Sequence, residues 1–154
     1  MKAIRSTGAV ALATVAVLLV PATAQASETK RVNTRPDLST AGYALTAATV
    51  RFPSRKAFDV RGWVKDVCGG DPSGDGRGAY VSMAFTPRGG VEHHKQIGKD
   101  VNGCGNGKRH YNPAPKKFDR RITSVTILVC ENDADDPDES SPCAFKQFDN
   151  WRLD

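Results

Sequence analysis

Two short stretches hold side chains able to move protons. In GVEHHKQ (residues 90–96), Glu92 and His94 would share one face of an extended strand, while His93 points to the other. In KRHYN (108–112), Arg109 and His110 stand side by side. An extracellular ribonuclease uses a carboxylate or imidazole to take a 2′-hydroxyl proton. It uses a second imidazole to protonate the leaving oxygen and a guanidinium to hold the phosphate. Glu92, His94, Arg109 and His110 are therefore a candidate catalytic set. They are equally at home as exposed polar groups on a hairpin. Covalent hydrolysis has no matching pattern: there is no G-x-S-x-G, and oxidised cysteines would leave no thiolate.

Acidic loops raise a different chemistry. In CGGDPSGDGRG (68–78), Asp71, Ser73, Asp75 and Gly76 fall at positions 1, 3, 5 and 6 of a calcium loop, but Ser82 stands where position 12 needs a bidentate glutamate. The stretch VCENDADDPDESSPC (129–143) carries Glu131, Asp133, Asp135, Asp136, Asp138 and Glu139, with no glycine between its cysteines. Turn chemistry accounts for both stretches without a metal. Calcium is thus the one cofactor left open, with Asp71, Ser73 and Asp75 as an incomplete ligand set; otherwise none is expected.

The cysteines and the N-terminus bear on the compartment. Lys2 and Arg5 precede a 13-residue apolar run (8–20), and Ala24-Gln25-Ala26 fits a small-x-small cleavage site, so residues 1–26 read as a signal peptide. The apolar run is too short for a comfortable membrane span, and no membrane anchor is expected. Of 154 residues, a 26-residue leader leaves 128, enough for one domain. Losing Lys2 and Arg5 takes the formal charge from +5 to +3, which suggests no nucleic-acid footprint. Cys68, Cys104, Cys130 and Cys143 all lie in the remaining chain, and an even count in an exported protein reads as two disulfides. Of three pairings, Cys68–Cys104 and Cys130–Cys143 is favoured, because the second pair closes the acidic loop. No CxxC spacing supports zinc.

The elements that must position these residues read as strands. Residues 27–42 are polar and read as a flexible or extended arm, with Lys30-Arg31 an exposed cleavage site. Residues 43–154 form the domain. Strands are expected over 43–52, 57–68, 78–86 and 91–99, the last two as a hairpin about Pro87–Gly90. RRITSVTILVCE (120–131) is β-branched and apolar on both parities near its end, which marks a central strand. The last twelve residues are read as strand. Short strands, Gly/Pro turns and no amphipathic helix predict an all-β fold: a small disulfide-stapled antiparallel β-sandwich.

Binding residues complete the picture. Trp63 shares its strand face with Asp59, Arg61 and Lys65; it is either an exposed anchor or covered by a second sheet or the arm. Arg55-Lys56, between two strands, would fit an acidic pocket built for one extended cation, or be an ordinary charged turn. With its leader, Arg/Asp/Gly-rich loops and polar arm, the chain resembles small secreted two-disulfide β-sandwich proteins of actinobacteria. The adaptor subunits of Streptomyces umbrella toxin particles are one such group. That resemblance implies a sandwich linking a scaffold to a trypsin-like lectin subunit, with residues 27–42 added as a strand to a partner and Arg55-Lys56 inserted into a pocket. The expectation is a secreted, non-enzymatic protein-interaction module, an adaptor or inhibitor with an extracellular protein partner and no nucleic acid. The alternatives are a ribonuclease-like hydrolase or toxin, and a calcium-dependent carbohydrate-binding module using the acidic loops and Trp63.

Overall fold

A computed structural model describes residues 27–34, 42–69, 77–101, 107–133 and 142–153. They form nine strands: β1 (Ser27–Asn33), β2 (Tyr43–Ser54), β3 (Ala57–Val67), β4 (Arg77–Pro87), β5 (His93–Asp100), β6 (Arg109–Tyr111), β7 (Lys116–Lys117), β8 (Ile122–Asp133) and β9 (Cys143–Asp149). A single 3-10 turn follows at Trp151–Leu153. The first sheet has the order β1-β2-β3, with β6 and β7 both on the far side of β3; the second has the order β5-β4-β8-β9. Every pairing is antiparallel. The all-β expectation holds, and β8 is central as its two-sided apolar pattern required.

Strand alternation explains which faces meet. On β2 the buried parity is Ala44, Thr46, Ala48, Val50 and Phe52; on β3 it includes Phe58, Val60 and Val64. Across the gap, Val81, Met83, Val125, Ile127, Val129 and Phe148 are 0–1% exposed. Burying each such side chain stabilises the fold by roughly 1.5–3 kcal/mol. At one end Phe58, Phe85 and Phe118 cluster, with ring centroids 4.9–5.7 Å apart, and His93 stacks on Phe85 at 5.1 Å.

Residues 27–33 are extended, but as part of the domain: β1 pairs with β2 from Ser27↔Arg51 to Asn33↔Leu45. Val32 is 3% exposed, and the Lys30 ammonium donates to the Gln147 carbonyl at 2.7 Å and lies 4.9 Å from the Phe148 ring. The Lys30-Arg31 bond is therefore held in a paired strand and is not the exposed cleavage site expected. At the other end of the chain the expected strand stops at Asp149. The Asn150 amide side chain donates to the Ile122 carbonyl at 2.8 Å, and Arg152 Nε donates to the Phe52 carbonyl at 2.7 Å, which turns the last residues back across the sandwich.

Cys130 and Cys143 are directly paired across β8 and β9 and form a disulfide. Cys68 is also disulfide-bonded. Cys104, expected to be its partner, lies outside the described residues.

Candidate functional site

The outward face of the first sheet gathers the outward parity of β1, β2, β3 and β6. Antiparallel register sets it in rows: Ser27–Arg51–Asp59, then Thr29–Thr49–Arg61, then Arg31–Ala47–Trp63–His110, then Leu45–Lys65. The second sheet packs on the opposite face, so this one is not covered by it, and β1 extends it edgewise. Trp63 lies where its parity put it, half-buried, with the Lys108 ammonium 4.1 Å from its ring centroid. Such a contact is worth about 0.5–1 kcal/mol at an exposed site. It also occupies one face of the indole.

Small residues hollow the face. Ala47 and Gly62 floor a groove of about 350 Å³ walled by Arg61, Trp63 and His110. A second groove of about 420 Å³ continues past Thr49, Arg61 and Asn112 to Pro113–Pro115, and reaches Arg51 and Asp59. Arg31, Arg51, Arg61, Lys65, Lys108 and His110 surround or line this surface, and Asp59 is the carboxylate among them. Asp59 is taken by Arg51, whose Nε donates to it at 3.0 Å. Arg61 is exposed, and no described carboxylate lies within ion-pair distance of it. The grooves thus present concentrated positive charge around an aromatic.

Beneath them sits Tyr111. Its hydroxyl shares a 2.9 Å hydrogen bond with Thr46, which donates in turn to the Trp63 carbonyl at 2.6 Å. Burial pushes the Tyr111 phenol up to about 12, partly offset by the Thr46 hydrogen bond. The ring fills the space that side chains at Gly62 and Gly98 would occupy: a Cβ at Gly98 would lie 2.8 Å from Tyr111 Cδ1.

No family model matches the chain, and no curated protein or solved structure gives a match. The site must be read from its geometry alone.

That geometry divides the candidate catalytic set. His94 Nε2 lies 3.3 Å from Glu92 Oε1 at the start of β5. Arg109 instead meets Asp100 at the end of β5, at 3.8 Å, and His110 lies on the outward face of the first sheet opposite Trp63. Six residues of strand separate His94 from Asp100, about 20 Å. Glu92 and His94 are brought together; Arg109 and His110 are not brought to them.

The Arg55-Lys56 turn is also altered by its surroundings. Arg55 Nε donates to the Arg152 carbonyl at 2.7 Å, and the Arg55 and Lys56 carbonyls accept from the Ile122 and Phe118 amides. The Nε bond holds Arg55 toward the C-terminal turn, while both Arg55 and Lys56 remain exposed. Asp71, Ser73 and Asp75 lie outside the described residues, as does most of the acidic stretch. Among the described residues no group of three or more metal-ligating side chains comes together.

Proposed function

We propose that this chain is an extracellular binding protein that receives an acidic segment of a partner protein on the outward face of its first sheet. The observation that carries the reading is the row of Arg31, Arg61, Trp63 and His110 around contiguous grooves, with Asp59, the one carboxylate on this face among the described residues, already engaged by Arg51. Charge of one sign over a hollow surface favours an anionic ligand and speeds its encounter. Bases and sugars bind by stacking on open aromatic faces, and Lys108 already lies over the Trp63 ring. A chain of carboxylates needs cations rather than a bare ring, which favours an acidic polypeptide. The leader-like N-terminus and the oxidised cysteines support export. An adaptor or inhibitor role fits a protein that binds in this way.

Trp63 supplies the test. In a Trp151→Phe background its fluorescence reports on the groove alone. Polyglutamate is expected to change that emission at low salt, with the response lost in Arg61→Glu and reduced several-fold by about 0.5 M salt. An oligonucleotide or a sulfated polysaccharide that perturbs Trp63 while polyglutamate does not would replace the acidic polypeptide with that ligand. Silence toward all three would end the reading.

A further inference from the structure

The outward face of the second sheet is built on different chemistry. On its central strands the outward parity is Tyr80, Ser82 and Ala84 from β4, the last only 5% exposed, opposite Cys130, Leu128 and Thr126 from β8. None of these carries a charge, in a chain of which 25% is charged. On β9, Phe145 lies opposite Leu128 with 65% of its surface exposed. Among the described residues, charge returns at the margins: His94 with Glu92 beside it at the start of β5, Lys99 near its end, and Asp149 on β9. Lys99 shares a row with Tyr80 and Cys130 at one corner, and Asp149 pairs with Ser124 at the diagonally opposite corner.

We propose that two copies of this chain associate through this face. A face whose central strands carry no charge, with Leu128 beside the exposed Phe145 and Tyr80 in the next row, matches the charge depletion and aromatic enrichment of an interface core. For the chain from Ser27, of formal charge +3 once Lys2 and Arg5 are gone, it is also the surface through which a like copy approaches with least repulsion. Four strands spaced by about 4.8 Å and roughly eight residues long give on the order of 500 Å² per copy. The pair then buries about 1,000 Å², the lower limit of a specific interface, so the association is reversible rather than permanent. The corner charges select the arrangement. A twofold axis in the plane of contact, running along the other diagonal, crosses the two sheets near 90°. It sets each Lys99 over the second copy's Asp149, with Leu128 and Phe145 buried between.

Sedimentation velocity of the chain from Ser27, between about 5 and about 500 µM, tests this. The sedimentation coefficient is expected to rise toward that of a dimer with concentration. Phe145→Asp should hold the chain monomeric throughout, with its circular dichroism and melting temperature unchanged because the side chain is exposed. Lys99→Glu should weaken the dimer several-fold, and Lys99→Glu with Asp149→Lys should restore it. A monomer at the highest concentration overturns the proposal. So does a dimer that ignores Phe145→Asp, or one dissolved by Arg61→Glu instead. A dimer abolished by Phe145→Asp but indifferent to both corner charges keeps the face and overturns the orthogonal arrangement.

Discussion

Gly62 and Tyr111 form one unit, and neither residue's part in it can be read from the chain. A Cβ at Gly62 would press on the Ala47 carbonyl and lie 2.5 Å from the Tyr111 hydroxyl. Gly62→Ala should therefore cost about 3 kcal/mol, and lower the melting temperature by on the order of 10 °C, as calorimetry would show. Tyr111 makes a second prediction, at high pH. Its phenol titrates near 12 in the folded protein, against 10 in an ordinary tyrosine. Below pH 10 both states keep the proton and the stabilisation is complete. From pH 10 to 12 the unfolded chain releases its proton while the folded one retains it, so stability falls, by about 3 kcal/mol in all. Urea titrations at pH 9 and 11 should show Tyr111→Phe losing less stability between them than the wild type. Trp63 marks the limit of reading at this scale. Its parity placed it beside Arg61 and Lys65 from sequence alone. Lys108, just ahead of β6 and more than forty residues away in the chain, lies over its ring, a contact no local pattern contains.

Among the elements, alternation locates β2, β3, β4 and β8 to within a few residues, because each has a clear buried parity; β5, largely exposed, is placed by the turn at Pro87–Gly90 that makes it the hairpin partner of β4. β1, β6 and β7 were missed for a physical reason. They are edge strands, they expose most of their side chains, and their pairing comes from a neighbour's open hydrogen-bonding edge rather than from their own hydrophobicity. Residues 27–33 carry a single buried apolar side chain, Val32, so their polar sequence reads as an arm although they fold as a strand. The same blindness split the proposed catalytic set, since β5 and β6 belong to different sheets. The β8–β9 pair adds a prediction. Its disulfide closes a loop of 13 residues, and replacing both Cys130 and Cys143 by serine should remove about 3 kcal/mol, read as a lower urea midpoint. Cys143 is exposed and Cys130 only half-buried, so serines there keep access to solvent and the variant should still fold.

Over the whole molecule the two outward faces divide the labour. One is basic and grooved; the other is uncharged at its centre. Net charge conceals this, because the acids of 131–139 offset cations placed elsewhere on the chain. A mild overall balance is thus compatible with a concentrated field on one side, and the expectation drawn from +3 alone could not see it. The faces should also differ in their response to salt: capture of an acidic segment weakens strongly as ions screen it, whereas pairing of copies loses only the share carried by its corner charges.

The cross-strand bond between Cys130 and Cys143 has a topological consequence. The covalent path from β8 to β9 runs twice, once through the acidic stretch and once through sulfur. A protease that cuts the acidic stretch once converts one chain into two without releasing either. The final strand, with Phe145, Phe148 and the Arg152 latch, stays tethered at its register until a reductant arrives. The segment richest in carboxylates is thereby the one whose backbone the protein can lose and remain a single particle.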